Sequence, residues 1–222
     1  AAQMYPDTDF VIFDGIVEEE NVMSLTFKKE EAAFLAGGIA ALESESSAVA
    51  FIGAKDNKEL RHYQLGFESG VKAVNSEMNI FSKYLGSFND FSAAKELSSE
   101  LVAKNNVDII FYAAGAASKG VIETAVEKDI NLISLDAGDI ELAPNNVLTA
   151  ILKNTDQLVN QVIKAHYEDA VINEIKEYGL ADNAFILETN QAEKMIKAET
   201  LKKIEEYKHQ FITGEIRISS LP

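Results

Sequence analysis

The sequence predicts an α/β protein built on a parallel β-sheet, and three observations support this fold class. Short apolar runs alternate with longer amphipathic segments four times in succession, which is typical of strand-then-helix units with right-handed crossovers. Segment 106–125, NVDIIFYAAGAASKGVIETA, joins an apolar run to a helical pattern through a loop of small residues. The 222 residues, 47% hydrophobic and 25% charged, suffice for one large domain or two lobes of about 100 residues each.

The chain opens with two strands and a helix. The apolar run FVIF at 10–13 predicts a buried strand that ends in a turn at Asp14-Gly15, and the alternation in VMSLTF predicts a strand at 22–27. Apolar side chains at spacings of three and four predict a helix over 28–42. Gly37 and Gly38 cost this helix some propensity, so we expect close packing against a neighbouring backbone there.

The next elements continue the alternation. AVAFIG at 48–53 predicts a buried strand, and 57–74 predicts a helix with one apolar face. A strand follows at 79–85. A helix over 91–104 ends at Asn105-Asn106, where left-handed backbone conformations are tolerated.

Segment 106–125 has two possible interpretations. Residues 107–112 suit a strand, 113–120 form a loop with almost no side-chain bulk, and a helix continues to about 128. Such a loop lets backbone amides approach a ligand, and ligands bind at the carboxyl ends of strands in open α/β sheets. The alternative is a tight connection that only packs.

The remaining elements depart from the regular alternation. Strands are predicted at 131–135 and 147–152, and an amphipathic helix at 156–170. Residues 179–189 then predict a short hairpin or paired strands, and 199–213 a final helix with Lys and Glu at helical spacings.

Composition excludes several classes of function. Thirty-six acidic against 20 basic residues give a formal charge of −16, which repels nucleic acid and anionic lipid headgroups. The chain has no cysteine, so it has no disulfide and no thiolate metal site. No apolar run reaches the roughly 18 residues of a membrane span, which predicts a soluble chain as given.

Motifs for catalysis, metals and cofactors are missing from the sequence. His62, His166 and His209 all fall in predicted helices, and neither a Ser-centred elbow nor an HExxH motif accompanies them. The loop AAGAASKG matches neither phosphate-binding fingerprint. We therefore predict a protein that is not an enzyme, with no catalytic residues, no metal site and no cofactor.

Polar side chains follow four of the predicted strands, and strand ends of this kind converge on one crevice in a doubly wound sheet. A carboxylate beside a lysine there suits the hydroxyls of a sugar ring. Any one of them alone is more often a helix cap or turn former. These residues are Asp14, Asp56, Asp136 and Lys153.

Phe111 and Tyr112 offer an aromatic face beside the small-residue loop. Packing in the core is the alternative interpretation of Phe111, and for an isolated phenylalanine it is the commoner one. The strand alone does not choose between the two.

Several stretches resemble the basic membrane protein, or purine nucleoside receptor A-like, family of bacterial substrate-binding lipoproteins. They follow the family's order and spacing over most of residues 5–160, and the GSFND and LTxxxKNxD patterns are specific to it. The stretches are YPDTDFVIFDG (5–15), NVMSLTFKKEEAAFLAGGIAAL (21–42), VAFIGAKD (49–56), GFESGVKAVN (66–75), GSFNDFSAAKEL (86–97), VDIIFYAAGAASKGV (107–121) and VLTAILKNTD (147–156).

This resemblance implies a type I periplasmic-binding-protein fold whose two parallel-sheet lobes close on a purine nucleoside. It also implies an ABC-type importer with a membrane permease and an ATPase as partners, and an extracytoplasmic protein anchored by an N-terminal lipid in its full-length form. The lobes would comprise 1–26 with about 148–190, and 27–147. The helix and tail at 191–222 are not assigned to a lobe.

The resemblance also assigns site residues. Asp14 matches the family's carboxylate on the base, Phe111 the stacking aromatic, Asp136 the carboxylate on the ribose hydroxyls, and Lys153 the lysine beside it. Gly115 belongs to the backbone that lines the ligand. Asp56 lies in a loop where the family often has an aspartate, and Ala116 replaces the family's usual glycine.

The family has a further β-α-β-α stretch before the position where this sequence starts. We therefore expect an incomplete first lobe, either in a fragment of a longer precursor or in a truncated gene product, and the incomplete lobe allows self-association. Three alternatives stay open: a regulatory or interaction protein that kept the fold, a binder of another small solute such as a sugar, and, last, an enzyme acting on nucleosides.

Overall fold

The computed structural model describes residues 1–168 and 174–218. Its strands are β1 (Phe10–Phe13), β2 (Val22–Phe27), β3 (Ala48–Gly53), β4 (Asn79–Tyr84), β5 (Ile109–Ala113), β6 (Asn131–Ser134), β7 (Val147–Lys153), β8 (Ile175–Tyr178) and β9 (Phe185–Leu187). Its α-helices are α1 (Lys29–Glu43), α2 (Lys58–Val74), α3 (Phe91–Asn105), α4 (Ser118–Lys128), α5 (Gly138–Leu142), α6 (Thr155–Tyr167), α7 (Thr189–Met195) and α8 (Ala198–Thr213). The predicted α/β fold class with parallel sheets is confirmed.

The chain divides into two compact units. Unit 1 comprises residues 1–28 and 153–186, and unit 2 comprises 29–152 and 187–222. The chain thus passes from unit 2 to unit 1 at the end of β7 and returns within β9.

Unit 1 is built on a three-stranded sheet in the order β1-β2-β8, in which both strand pairs are parallel. Helix α6 buries Leu158 and Val162. The prediction that residues 10–13 form a strand is confirmed, but the prediction that this strand is buried is wrong. Strand β1 lies at the edge of the described sheet and pairs with β2 alone, and Val11 is 38% exposed.

Unit 2 contains most of a sheet in the order β4-β3-β5-β6-β7-β9, with parallel pairing along β4-β3-β5-β6-β7. Strand β3 is buried along its whole length, as expected for a central strand covered on both faces. Side chains of β5 alternate between the faces, so Phe111 and Tyr112 point in opposite directions. The carboxyl ends of β5 and β6 carry loops that border a cavity.

Helices α1 and α2 pack closely, as the paired glycines predict. A Cβ atom placed on Gly37 would lie 2.1 Å from the Phe67 carbonyl oxygen of α2, so only glycine fits there. A Cβ atom on Gly38 would meet the Ile204 side chain of α8 at 3.1 Å. The glycines lower the helix propensity of α1, but they allow α1 and α2 to approach each other closely.

The predicted hairpin or strand pair at 179–189 is wrong. Strand β8 pairs in parallel with β2, whereas β9 belongs to the six-stranded sheet. A 3₁₀ turn at Leu180–Asp182 and a left-handed Asn183, at φ 57°, connect them. The sequence pattern also missed the short helices α5 and α7, and the predicted end of the helix over 156–170 lies outside the described residues.

Candidate functional site

A cavity of about 320 Å³ lies in unit 2 at the carboxyl ends of β5 and β6. Its wall combines aromatic rings, small residues of the β5–α4 loop, and polar groups from β6 and α5. The lining residues are Leu60, Tyr63, Phe88, Tyr112, Ala113, Ala114, Gly115, Ser118, Ser134, Leu135, Asp136 and Asp139. The small-residue loop singled out in the sequence therefore borders a cavity.

A buried hydrogen-bond network supports this wall. The Tyr112 hydroxyl donates to Oδ2 of Asp139 at 2.8 Å, and the Ser134 hydroxyl donates to the same oxygen at 2.6 Å. Tyr112 is 2% and Asp139 is 8% exposed. Burial, and secondly the charge of Asp139, raise the pKa of Tyr112 well above its ordinary value, so the phenol stays a donor. The network holds the Tyr112 ring and the Asp139 carboxylate in place, and both residues line the cavity.

Asp136 lies on the exposed side of the cavity. Its backbone N–H donates to Ser134 Oγ at 3.0 Å, and its Oδ1 accepts the Gly138 N–H at 2.8 Å. The sequence placed Asp136 directly after a strand, and the structure puts it at the end of β6 among the lining residues. The carboxylate is thus held by its neighbours while it lines the cavity.

The loop after β5 positions Phe88 as well. Gly115 has φ +61°, in the left-handed region that glycine adopts easily, and a Cβ atom there would lie 3.1 Å from Cδ1 of Phe88. The Ala117 N–H donates to the Phe88 carbonyl oxygen at 2.9 Å. Ala116 is exposed and is not among the residues that line the cavity.

Phe111 lies in the core. Its side chain is fully buried, and its ring centroid lies 5.5 Å from that of Phe67 and 5.7 Å from that of Phe51. The cavity wall instead contains Tyr112, its neighbour along β5, and Phe88, which is 40% exposed. Of the two interpretations of Phe111, the geometry is that of core packing.

Asp56 borders a different cavity in unit 2, of about 450 Å³, with Arg61, Gln64, Glu68 and Tyr84. The Arg61 guanidinium donates to both carboxylate oxygens, at 2.5 and 2.9 Å, and holds the pKa of Asp56 below its ordinary value. The structure therefore does not bring Asp56 and Asp136 together in one cavity, although both follow strands of the same sheet.

Asp14 and Lys153 come together within unit 1. The Lys153 ammonium donates to Oδ2 of Asp14 and lies 4.8 Å from the centroid of the Phe27 ring. Asp14 has φ +58°, a left-handed conformation that aspartate tolerates, and its N–H donates to the Leu25 carbonyl oxygen at 2.9 Å. Two strand-end residues separated by 139 positions thus form one ion pair.

The sequence patterns did not point to Phe88, Ser134 or Asp139 as site residues. Phe88 stood inside a pattern quoted only for its family resemblance, and Asp139 lies in α5, which was not predicted. Only their positions in the sequence could have indicated them: Ser134 and Asp139 flank the strand-end Asp136, and Phe88 follows β4. Among the described residues, no group of three or more His, Asp or Glu side chains is placed to hold a metal ion.

The chain matches a family of known proteins along almost its whole length. The family model Bmp, described as "ABC transporter substrate-binding protein PnrA-like", matches residues 1–221. The chain belongs to this Bmp family. The resemblance drawn from the motifs is thereby confirmed.

Two curated Bmp relatives come from Borreliella burgdorferi. Basic membrane protein D of strain JD1 is 32% identical over 218 residues, which are 95% of this chain and 64% of that protein. Basic membrane protein A of strain B31 is 30% identical over 228 residues, 99% of this chain and 66% of that protein. The chain thus spans just under two thirds of the length of these relatives.

Solved structures share the fold of this Bmp chain. An ABC transporter solute-binding protein from Aeropyrum pernix K1 has a TM-score of 0.82 at 23% identity, covering 99% of this chain and 73% of that one. A structure titled as a transcriptional activator of the comK gene from Bacillus halodurans has a TM-score of 0.84 at 26% identity, covering 96% and 73%. The periplasmic-binding-protein-like fold is therefore confirmed.

In the described ranges 1–168 and 174–218, no helix of this Bmp chain is both long enough and apolar enough to cross a bilayer.

Proposed function

We propose that this protein binds a purine nucleoside and delivers it to an ABC-type importer. The observation that carries the proposal is the cavity of unit 2, where the partly exposed ring of Phe88 and the strand-end carboxylate of Asp136 line one space. A flat base stacks on an aromatic ring, and a carboxylate accepts hydrogen bonds from neighbouring ribose hydroxyls. A volume of about 320 Å³ is in the range of small-molecule sites.

The two chemical halves of a nucleoside match two parts of this wall. Phe88 supplies accessible ring surface, and Tyr63 and Tyr112 line the same wall. The Ala113–Gly115 backbone brings no bulk that would keep a base away. Asp136 follows β6 and supplies carboxylate oxygen atoms for hydroxyl groups. A sugar alone would use the polar part and leave the aromatic part unused, which is why we favour the nucleoside.

The remaining assigned residues belong to the proposal as well. Asp14 and Lys153 contribute a carboxylate and an ammonium group to ligand binding, and Gly115 and Ala116 contribute backbone groups. Stacking by Phe111 would require the ring to leave the pocket formed by Phe51 and Phe67, so we assign it a supporting role under this proposal. Asp56 is bound by Arg61 and is assigned no ligand contact.

We further propose that the protein acts outside the cytoplasm, anchored by a lipid, and that a permease and an ATPase are its partners. Membership of the Bmp family supports this, because the family description is that of ABC transporter substrate-binding proteins. Binding without turnover is part of the same proposal. Nucleoside recovered after incubation should have an unchanged mass and no released base.

Calorimetric titration of the full-length protein with adenosine, guanosine and inosine tests the proposal. We expect saturable heat with at least one of them, and arabinose and ribose serve as sugar controls. Binding of a sugar with no heat from any nucleoside would overturn the nucleoside assignment.

A second candidate function is regulation by a protein that kept the fold. It is favoured by the Bacillus halodurans structure, whose title names a transcriptional activator and which is 26% identical to this chain. Co-purification from detergent-solubilised membranes discriminates the two. The importer proposal expects a permease and an ATPase to be retained with the protein, whereas a regulator would leave both behind.

A further inference from the structure

Asp139 lines the cavity, and only one of its two carboxylate oxygens is hydrogen-bonded within the described part of the protein. Its Oδ2 accepts the hydrogen bonds from Tyr112 and Ser134, at 2.8 and 2.6 Å. Within the described part of the chain, Oδ1 accepts no hydrogen bond, and no buried side-chain oxygen or nitrogen there lacks a partner. Oδ1 is therefore in contact with solvent, and Asp139 lines the cavity.

The charged residues that line the cavity are both acidic. Asp136 and Asp139 both line the cavity, and its described lining includes no Lys, Arg or His. Lys55 lies beside this wall, with Nζ 5.8 Å from the centroid of the Phe88 ring. Two carboxylates in one cavity disfavour an anionic ligand and favour groups that donate hydrogen bonds.

The two hydroxyl groups next to Asp139 both donate their hydrogens to it, so neither is available as a donor to a ligand. Tyr112 and Ser134 both donate to Asp139, and the raised pKa of Tyr112 keeps its hydroxyl protonated. These two residues therefore hold the carboxylate in place, and Oδ1 is left as an acceptor of fixed position. An acceptor of fixed position on a largely buried residue discriminates between ligands, because a bound ligand that displaces water without a matching donor leaves it unpaired.

We propose that Asp139 is a specificity-determining residue whose Oδ1 accepts a hydrogen bond from the ligand. The cavity then selects flat ring compounds that carry N–H or O–H donors and are neutral or cationic, and it rejects anionic ones. This inference rests on the proposed function only in placing the ligand in this cavity. It names a residue and a chemical preference that the family resemblance did not assign.

Asp139→Asn tests the proposal with little change in size. The amide oxygen can still accept from Tyr112 and Ser134, and the NH₂ group then faces the cavity as a donor instead of an acceptor. Asp108→Asn is the matched control. Asp108 also accepts from a serine hydroxyl, that of Ser44 at 2.7 Å, and it does not line the cavity.

Equilibrium binding is measured for two pairs of probes with the full-length protein. The first pair is adenosine and adenosine 5′-monophosphate, and the second is tryptamine and indole-3-acetate, which share a ring but differ in charge. In the wild type we expect the neutral or cationic member of a pair to bind at least about tenfold more tightly. Asp139→Asn should reduce that ratio at least about tenfold, and Asp108→Asn should leave it unchanged.

The outcomes separate this inference from the nucleoside assignment. If adenosine does not bind but tryptamine does, and Asp139→Asn abolishes the preference over indole-3-acetate, the inference stands and the nucleoside proposal fails. If adenosine binds and Asp139→Asn leaves both ratios unchanged, only the inference is overturned. Binding of the anionic members as tightly as their partners, or of no probe at all, also overturns it.

Discussion

The hydroxyl of Tyr112 on β5 donates a hydrogen bond to the carboxylate of Asp139 on α5, across 2.8 Å. This bond joins two residues that are 27 positions apart in the chain, and both line the cavity of unit 2. Because Ser134 of β6 donates to the same carboxylate, the ends of β5 and β6 are held to α5 by one buried acceptor. The geometry of the candidate site therefore depends on this network.

Tyr112→Phe should destabilise unit 2 by about 1.5–3 kcal/mol, because it removes a hydrogen bond to a buried charged group. Tyr84→Phe is the matched control. It removes the hydrogen bond from the Tyr84 hydroxyl to the neutral Gln64 amide, at 2.5 Å, and should cost about 0.5–1.5 kcal/mol. Urea unfolding measures both losses. Equal losses in the two variants would contradict the importance given to Asp139.

The same phenol predicts a pH dependence. Burial, and then the charge of Asp139, hold the pKa of Tyr112 above the ordinary value of 10.0 in the folded protein. Its stabilising contribution is complete below pH 10 and is lost as the pH rises, because the unfolded chain then binds fewer protons. Above pH 10, the free energy of unfolding should fall more steeply in the wild type than in Tyr112→Phe, by up to about 1.4 kcal/mol per pH unit.

Urea unfolding of both proteins between about pH 9 and pH 11 tests this dependence. The pKa of Tyr84 is also raised, but that tyrosine is common to the two proteins and its effect cancels in the difference. Parallel profiles would mean that Tyr112 ionises in the folded state as readily as in the unfolded chain.

Gly115→Ala should destabilise the protein more than Gly86→Ala does. Both glycines have positive φ, +61° and +83°, so alanine at either position costs about 1–2 kcal/mol of backbone strain. Only at Gly115 does the new methyl group also meet Phe88, at 3.1 Å, while nothing lies within 4 Å at Gly86. Thermal unfolding compares the variants, and an equal loss would show that Phe88 moves away without cost.

Lys153→Met should weaken nucleoside binding at least about tenfold while changing the stability by less than about 1 kcal/mol. The side chains of Lys153 and Asp14 are 28% and 37% exposed, and ion pairs of this exposure contribute little to folding. Lys164→Met, which removes an exposed pair with Glu168, should change neither quantity. Calorimetry and urea unfolding measure the two effects, and unchanged affinity in Lys153→Met would remove Lys153 from the site.

The sequence predicted strands β1 to β7 and the close helix packing because both depend on local patterns. AVAFIG is apolar throughout because β3 is central and covered on both faces, and Gly37 stands where the α2 backbone approaches. Asp136 could be placed at a strand end for the same reason. Each of these features follows from one segment and its immediate neighbours.

Features that depend on distant partners were not predicted. FVIF is as apolar as a buried strand, yet β1 is an edge strand, and its place in the sheet is set by topology. Phe111 and Tyr112 are adjacent aromatic residues, and only the pleat decides which one faces the cavity. Asp139 follows a turn and looks like a helix-start carboxylate until Tyr112 is placed 2.8 Å from it.

The most direct test of nucleoside binding compares the wild type and Asp136→Ala in calorimetric titrations of the full-length protein with adenosine, guanosine and inosine. We expect binding of at least one nucleoside, weakened by about 1–3 kcal/mol in Asp136→Ala with little change in the unfolding midpoint, because Asp136 is exposed and accepts charge-assisted hydrogen bonds. Absence of heat with all three nucleosides in the wild type, or affinity and unfolding midpoint lost together in the variant, would contradict the account.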